Sequence, residues 1–370
     1  MKPLLPSNSH SQCPGYFFKV LKFLSTWAML ITLTWYCMRT KDEVDVLRIP
    51  YPSANVTINT TKRYLSSNLA SICQLGNHIF EFASLYGLSK RLNRTPTFFI
   101  ENGSHRKMLE KGKSIIPGLV KKFLVINGSV PHTIENTSFQ PTCCSYDNPE
   151  KLENSQDEYL HLSGMFYQSW KYFGNMKLEL SSYLNDAKYM SFSNLPRSNS
   201  KTHVTCVHAR RGDFLEVGFY GADPKFIRNS LKFVGTRGNS TRPNRKVVLF
   251  GDDLEFLKEV FPGAEISTDK KRRKGVSGKT TYYVSGNSPN TDLIYSKHHC
   301  DVVIISAPHS TFGWWMGYFS KGDQVYYFDI RYTRDTSYVN GELTPEDFFP
   351  PHWTPLKFFV VDNFTVIAST

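Results

Sequence analysis

The sequence predicts an α/β fold, and three observations carry this prediction. The 370 residues are 40% apolar and 14% aromatic, which is enough to bury a large core. In the second half, short apolar runs such as KVVLF at 246–250 and VVIIS at 302–306 alternate with helix-like segments. Gly and Pro follow no period, which excludes a fibrous chain. Strands that alternate with helices are typical of a parallel sheet covered on both faces.

The first element along the chain is an uncharged apolar stretch, FLSTWAMLITLTWYCM, at 23–38. A membrane-spanning helix needs about 20 residues, and the side chains of Lys19 and Lys22 can reach the interface so that the span begins earlier. No clear small-residue cleavage site follows Ala28, so we interpret residues 16–38 as an uncleaved transmembrane signal anchor. Residues 1–15 are then a cytosolic tail, and the polar residues 39–68 are a luminal stem.

Eight Asn-x-Ser/Thr sequons follow the apolar stretch. Such sequons mark surface loops of secreted proteins, so they predict that the body of the protein is luminal. Their acceptors are Asn55, Asn59, Asn93, Asn102, Asn127, Asn136, Asn239 and Asn363.

The luminal prediction puts five cysteines in an oxidising compartment, where one or two disulfides can form. We expect the adjacent Cys143 and Cys144 to bond elsewhere rather than to each other, and the pairing stays open. The other three cysteines are Cys73, Cys206 and Cys300.

The folded body is expected to comprise an N-terminal α/β domain, 69–199, and a C-terminal one, 200–370. The Ser- and Asn-rich segment NLPRSNSK at 194–201 marks the boundary. In the first domain we predict a helix after Gly76-Asn77, a strand at 97–100 and mostly helical structure over 150–199. In the second domain we predict strands at 204–208, 246–250, 302–306 and 324–328, and helices at 224–233, 254–261, 291–300 and 311–319.

Basic residues follow the first strand of the second domain, in the segment His208-Ala209-Arg210-Arg211-Gly212-Asp213. Ligands of parallel sheets bind at the carboxyl ends of strands, and the net charge of +12 favours an anionic partner. Two arginines can hold a diphosphate by bidentate hydrogen bonds, with Asp213 orienting one of them. An exposed basic turn and an Arg-Gly-Asp adhesion signal are the alternatives.

Two further candidate sites lie at predicted helix starts. Asp292 either accepts hydrogen bonds from the amino edge of guanine or only caps its helix. A helix start with hydroxyls and a small residue can bind an anion, although an ordinary N-cap has the same sequence. The residues of that second helix start are Ser310, Thr311 and Gly313. One diphosphate nucleotide could contact all three blocks.

The segment VHARRGDF at 207–214 resembles the His-x-Arg-Arg-x-Asp motif of the α-1,2-fucosyltransferases. The residues around Asp292, the segments CDVVI and STFGWW at 300–304 and 310–315, and PHWT at 351–354 are similar to the same family in order and spacing. In the first half, Leu75-Gly76-Asn77-His78 and the aromatic segment 165–173 are weaker matches. The resemblance covers residues 69 to 354.

The resemblance implies a GT-B-like fold of two facing Rossmann-like domains, with GDP-β-L-fucose held by the second. It implies inverting transfer of L-fucose to the 2-hydroxyl of a terminal galactose on a glycoprotein or glycolipid. By position, Arg210 binds the β-phosphate, His208 fixes the nucleotide and Asp292 reads guanine. The phosphates are met by Ser310, Thr311 and Gly313.

The same resemblance implies that Arg211 and Asp213 hold the shape of the motif or contact the acceptor. We expect no cofactor and no metal, since arginine and helix-end amides can stabilise the departing diphosphate and the chain contains no Asp-x-Asp. The general base stays open between Asp213 and Glu216, because the acceptor hydroxyl must lose its proton to a group within reach.

Two alternatives to this activity remain. One is a fucosyltransferase of the same fold with a different linkage or acceptor, and the other is an inactive, membrane-anchored glycan-binding or adhesion protein. The expected location is the Golgi membrane, single-pass type II, with the catalytic domain luminal and no nucleic-acid partner. The basic run KKRRK at 270–274 is expected to be a solvated loop.

Overall fold

The computed structural model describes residues 62–140, 142–188, 191–237, 242–267, 281–359 and 365–369. All of them belong to one structural unit, 59–370. The predicted tail, the predicted anchor and most of the predicted stem lie outside the described residues. Among the residues described, no helix is both long enough and apolar enough to cross a bilayer.

The first sheet has five parallel strands in the order β3-β2-β1-β5-β4. The strands are β1 (Tyr64–Ser67), β2 (Thr95–Ile100), β3 (Leu124–Asn127), β4 (Asn136–Thr137) and β5 (Tyr159–Leu162). Because β1 lies in the centre, the folded body begins before residue 69, which corrects the predicted stem at its last residues.

Strand β1 has the sequence YLSS, and its two serines give no sign that the strand is buried. The serine hydroxyls are satisfied inside the protein. Ser67 Oγ donates to the carbonyl oxygens of Leu162 (3.2 Å) and Gly164 (2.9 Å), and Ser66 Oγ lies 2.8 Å from His161 Nδ1. A buried hydroxyl costs little once it is hydrogen-bonded.

Five helices accompany this sheet: α1 (Leu75–Arg91), α2 (Gly103–Ile115), α3 (Pro117–Val120), α4 (Glu150–Glu153) and α5 (Lys177–Ser182). The prediction of mostly helical structure over 150–199 is wrong. That stretch contains α4, α5, strand β5 and two 3-10 turns, Trp170–Tyr172 and Asp186–Lys188. Its aromatic side chains enter the core from irregular backbone, and both Phe166 and Tyr167 have positive φ (72° and 45°), which a helix excludes.

The second sheet has eight strands in the order β13-β12-β11-β10-β6-β7-β9-β8. They are β6 (Thr202–Ala209), β7 (Asn244–Gly251), β8 (Glu265–Ser267), β9 (Tyr282–Ser285), β10 (Val302–Ile305), β11 (Gln324–Phe328), β12 (Thr354–Phe358) and β13 (Val366–Ala368). All neighbours pair in parallel except β12 and β13. The direction of winding reverses beside β6, which lies between β7 and β10.

The helices of this half are α6 (Gly212–Val217), α7 (Pro224–Arg237), α8 (Leu254–Val260), α9 (Pro289–His299), α10 (Thr311–Tyr318), α11 (Thr336–Val339) and α12 (Pro345–Phe348), with a 3-10 turn at Ile330–Tyr332. The four predicted strands and four predicted helices are confirmed, with small differences at their ends. Helix α9 begins before residue 291 because Ser288 caps it by accepting from Thr291 N. The predicted α/β class with parallel sheets is therefore confirmed.

The two halves share one apolar core, because α1 of the first half packs against α10 of the second. The ring of Phe80 lies 4.6 Å from Trp314 and 4.9 Å from Trp315, and Trp315 Nε1 donates to Gly76 O (3.0 Å). Both tryptophans are fully buried. Burial of several large rings at one junction stabilises the relative position of the halves.

The disulfides correct one sequence expectation. Cys143 and Cys144 bond to each other, and Cys206 bonds to Cys300. Because Cys206 and Cys300 bond to each other, neither of them is available to Cys143 or Cys144. Among the described cysteines, Cys73 is the free one.

Candidate functional site

The carboxyl end of β6 carries Arg210 and Arg211, and the structure gives them different surroundings. Arg210 Nη2 lies 2.8 Å from Asp213 Oδ1, and its Nε lies 3.3 Å from Asp252 Oδ2. Its side chain is 27% exposed. The guanidinium is therefore held by two carboxylates while one side of it still faces solvent.

Arg211 is about as exposed as Arg210, with 29% of its side chain accessible, but it contacts other groups. Its Nη1 donates to Ala222 O (2.9 Å), and its guanidinium lies 4.4 Å from the centre of the Phe256 ring. Its backbone N–H donates to Asp252 Oδ1 (3.0 Å). These contacts fix the loop after β6.

Asp252 is a site residue that sequence reasoning missed. It follows β7 as the first of two adjacent acids, Asp252 and Asp253, a sequence typical of a helix cap after a strand. Asp253 does cap α8 by accepting from Phe256 N (2.9 Å), but Asp252 contacts both Arg210 and Arg211. The available signal was an acid at the end of the strand that pairs with β6, where carboxyl ends meet.

His208 lies two residues before Arg210 on β6 and is 3% exposed. Burial, with a smaller contribution from the charge of Arg210, lowers the pKa of His208 to about 3. Its imidazole is therefore neutral at physiological pH. Its Nδ1 has no hydrogen-bond partner among the described residues, and a Cβ at Gly313 would lie 2.5 Å from it. Glycine is thus required where α10 approaches β6.

Ser310 and Thr311 lie at the start of α10, and both of their hydroxyls form hydrogen bonds within the protein. Ser310 Oγ accepts from Gly313 N (3.3 Å), which makes it an N-cap. Thr311 Oγ1 donates to Asn77 Oδ1 (2.9 Å), and Gln168 Nε2 donates to the same oxygen (3.1 Å). The weaker first-half motifs therefore meet the second-half motif at this helix start.

Asp292 lies in the first turn of α9, beside the carboxyl end of β9, and is buried. Ser285 Oγ donates to its Oδ1 (2.5 Å). Strand β9 is two positions from β6, about 10 Å at the usual strand spacing. Asp292 thus shares the sheet edge with Arg210 without touching it.

Asp213 and Glu216 lie on the short helix α6, and both are exposed. Asp213 is committed to Arg210. None of the described residues forms a hydrogen bond or ion pair with the carboxylate of Glu216. The structure thus brings Asp213 to the arginine and leaves Glu216 open to solvent.

A buried His309–Asp335 pair, also missed from the sequence, lies beside the start of α10. His309 Nδ1 donates to Asp335 Oδ1 (3.1 Å), and Asp335 Oδ2 accepts from Tyr220 N (3.0 Å). Burial alone would raise the pKa of Asp335, but the hydrogen bonds it accepts, first from His309, lower it. The pair links the segment before Ser310 to the loop after α6. The only signal was a histidine directly preceding Ser310.

One group among the described residues has ligand atoms close enough for a metal ion. It consists of Cys143, Cys144 and His309, whose atoms lie within 4.8 Å of one another. The two sulfurs are bonded to each other in this structure. A metal could bind this group only after reduction of the disulfide, since the thiolate is the metal ligand.

The carboxyl edge of the first sheet holds a second polar pocket, of about 230 Å³. His161, at the end of β5, lies with its Nε2 3.2 Å from Asn68 Oδ1. Because an amide oxygen only accepts, Nε2 carries the proton and Nδ1 accepts from Ser66. Glu101, which follows β2, also lines the pocket. The reversal of strand order at β1 lies directly beneath it, which is where ligands of such sheets bind.

Four of the eight predicted acceptor asparagines lie in the described residues: Asn93, Asn102, Asn127 and Asn136. All four are exposed. Asn102 also caps α2, since its Oδ1 accepts from Ser104 N and His105 N, which leaves its Nδ2 free of that role. The acceptors outside the described residues are Asn55, Asn59, Asn239 and Asn363.

The chain matches the model of Glycosyl transferase family 11 over residues 38–357. It is 53% identical to a Caenorhabditis elegans protein named "Putative galactoside 2-alpha-L-fucosyltransferase svh-11", over 96% of this chain and 95% of that protein. It is 32% identical to a Caenorhabditis elegans galactoside 2-alpha-L-fucosyltransferase, over 76% of this chain and 74% of that protein. A solved structure, the NodZ alpha-1,6-fucosyltransferase soaked with GDP-fucose, has a TM-score of 0.41 at 15% identity and covers 73% of this chain and 96% of that chain.

Proposed function

The chain belongs to glycosyl transferase family 11, and from this premise we propose that it moves L-fucose from GDP-β-L-fucose to the 2-hydroxyl of a terminal galactose, with inversion. It is a fucosyltransferase, on which the family and the named relatives agree. The observation that carries the proposed donor is the cluster of His208, Arg210 and the start of α10 at the reversal of strand order. Such a crevice suits a nucleotide diphosphate.

We assign the departing β-phosphate to Arg210. Asp213 and Asp252 hold its guanidinium in place before the donor binds, so little reorganisation is needed when charge grows on the diphosphate. The amides of the first turn of α10 would add a partial positive charge at the same place. These groups supply the work that a divalent ion does elsewhere, so we propose a reaction without metal or other cofactor.

Neutral His208 would fix the nucleotide by a hydrogen bond rather than by charge. Its unpartnered Nδ1 beside Gly313 supports this role. Ser310 would act mainly by capping α10, and Thr311 by joining α10 to Asn77. Asp292, whose carboxylate also accepts from Ser285, would read guanine by accepting from its amino edge.

For the base we favour Glu216 over Asp213. Asp213 is occupied by Arg210, and Arg211 is held by Ala222 O and the Phe256 ring, so both are better suited to positioning. Glu216 has no such commitment among the described residues. Glu216→Gln should therefore lower kcat with little change in the KM for GDP-fucose, whereas Asp213→Asn should change both.

The acceptor would enter from the first half, as in a GT-B-like arrangement of two facing Rossmann-like domains. The pocket lined by Asn68, Glu101 and His161 supports this assignment, because hydroxyl-rich sugars need several fixed donors and acceptors. A different linkage or acceptor within the same family is the main alternative. A folded protein that binds GDP yet transfers nothing to any sugar would instead favour a glycan-binding protein.

We propose that the protein is a Golgi enzyme with a single type II anchor at 16–38 and a luminal catalytic body. The eight sequons and the apolar stretch support this. Protease treatment of intact microsomes should leave the body protected, and N-glycosidase should reduce its mass. A body digested in intact microsomes would contradict the topology.

The decisive experiment is an activity assay on the full-length chain with GDP-fucose, EDTA and a panel of β-galactosides. Fucose on O2 of galactose, formed in EDTA and lost in Arg210→Ala, would support donor, linkage and metal independence together. Fucose at another position would favour the alternative linkage. Activity that EDTA abolishes and Mn²⁺ restores would overturn the metal-free mechanism.

A further inference from the structure

We propose that the amino edge of the second sheet carries a separate binding site for a sulfated, polyanionic oligosaccharide. A cavity of about 840 Å³ opens at this edge, where β6, β7, β9, β10 and β11 begin. Its lining includes His203, Lys246, Tyr282 and Gln324 from the first residues of those strands. Strand β6 is eight residues long, so about 25 Å of strand separates this cavity from Arg210.

The cavity is strongly basic. Among the described residues that line it, Asp301 supplies the one carboxylate, and it pairs with Arg242 (3.0 Å) and Lys321 (3.5 Å). The lysines and arginines of the lining are Arg228, Lys232, Arg237, Arg242, Arg245 and Lys246. A wall with several cations and one acid produces a positive potential that attracts anions.

Two of these cations donate to backbone carbonyl oxygens, which orient their guanidinium groups. Arg228 Nη1 donates to Val260 O (2.9 Å), and Arg245 Nη1 donates to Gly235 O (2.8 Å). A carbonyl oxygen orients a guanidinium without cancelling its charge. The cavity therefore holds positioned, net positive groups rather than mobile surface lysines alone.

An apolar surface adjoins the charges. The rings of Phe261 and Tyr282, both in the lining, stack with centroids 4.2 Å apart and planes 12° apart. A rigid aromatic pair offers a flat apolar face at low entropic cost. Positioned cations around an aromatic face suit a ligand that combines apolar C–H faces with several separated anionic groups.

A sulfated oligosaccharide has this chemistry, since its rings present C–H faces and its sulfates are spaced along the chain. The volume is in the range of about 300–1,000 Å³ that accepts one ligand of moderate size. The choice of glycan over nucleic acid rests on the proposed luminal location, where sulfated glycans are available. The binding itself does not depend on fucosyl transfer.

The test measures binding of a heparin-derived hexasaccharide to the full-length protein by isothermal titration calorimetry, with its desulfated form in parallel. Lys232→Glu combined with Arg237→Glu reverses two exposed cations of the lining. Lys107→Glu combined with Lys113→Glu, on exposed positions of α2, is the matched control with the same change in net charge. A third variant replaces the KKRRK run at 270–274 by serines.

We expect the lining variant to bind the sulfated hexasaccharide at least about tenfold more weakly, the α2 control to bind as wild type, and the desulfated form not to bind. Added salt should weaken wild-type binding. Equal loss in the lining variant and the α2 control, or loss only in the KKRRK variant, would overturn the site. Equally tight binding of a DNA oligonucleotide of matched charge would overturn the assignment to a glycan.

Discussion

Both edges of the eight-stranded sheet carry arginine, but they hold it in different ways. At the carboxyl edge Arg210 contacts two carboxylates, Asp213 and Asp252. At the amino edge, the described residues that line a cavity include six lysines and arginines and one carboxylate, that of Asp301. Matched charges fix one guanidinium in one place, which stabilisation of a leaving phosphate requires. An excess of cations over acids in a cavity wall attracts anions over a distance with little geometric demand.

The largest expected effect tests the matched arginine. Arg210→Ala should lower kcat for fucosyl transfer about 10²- to 10³-fold, as removal of one preorganised charge-stabilising donor does. Arg210→Lys should recover only part of this, because an ammonium lacks the planar fork. Initial rates with GDP-fucose measure the effect. Arg106→Ala on α2 is the control, and an equal loss there would mean that general instability explains the result.

The second prediction concerns the disulfide on β6, the strand that connects the two edges. The double change Cys206→Ala with Cys300→Ala should lower the unfolding free energy by about 4 kcal/mol, because the bond closes a long loop, with a sequence separation of 94. Cys143→Ala with Cys144→Ala opens no such loop and should cost much less. Urea unfolding compares the two variants. Equal losses would contradict the loop-closure account.

The third prediction concerns the support behind the carboxyl edge. Gly76→Ala should destabilise the protein by about 1–3 kcal/mol, because its Cβ would lie 2.5 Å from Thr311 Oγ1 and 2.7 Å from Phe312 N. Backbone atoms cannot move aside as a flexible side chain can. Gly103→Ala, which meets no atom within 4 Å, is the matched control in thermal unfolding. Equal unfolding temperatures for the two variants would show that the packing between α1 and α10 relaxes enough to accept the added methyl group.

The smallest effect compares two histidines of β6, one at each edge. Burial is the first cause that lowers the pKa of both His208 and His203, and the pKa of His208 falls to about 3. Below about pH 6.5 the unfolded chain therefore binds protons that folded His208 does not. The folded protein therefore keeps its full stability with respect to His208 above pH 6.5. It loses stability progressively as the pH falls from there toward 3.

His208→Gln should consequently reduce the pH dependence of the unfolding free energy by up to about 1 kcal/mol per pH unit below pH 6. His203→Gln should reduce it less, since His203 is only partly buried. Urea unfolding at pH 7.5 and pH 5.5 gives both slopes. A larger change for His203 than for His208 would reverse the assigned order of burial.

The regular elements of the second half were predictable because their strands are apolar runs with polar ends. Residues 246–250 and 302–306 have this form, and the structure contains β7 and β10 there. The partnership of Arg210 with Asp213 was also predictable, since the two residues are three apart. Local sequence patterns thus predict contacts between residues that are close in the chain.

Long-range contacts escaped the sequence. Asp252 contacts Arg210 because β7 pairs with β6, and Asp335, which follows β11, contacts His309. No local sequence pattern indicates either contact. Strand β1 escaped because its serines are satisfied by partners almost 100 residues away. The irregular stretch after residue 150 escaped because its aromatic side chains suggested a helix face, whereas tertiary packing determined their backbone.

The central position of β1 limits where the chain could be cut to release the body from the proposed membrane anchor. Residues 64–67 pair with β2 on one side and with β5 on the other, so neither neighbour can replace them. Proteolysis before Tyr64 would shed an intact body, whereas a cut a few residues later would remove the middle of the first sheet. Cleavage sites that release the body and sites that destroy its first sheet are thus only a few residues apart. The position of a single cut would decide between a released, folded body and an unfolded one.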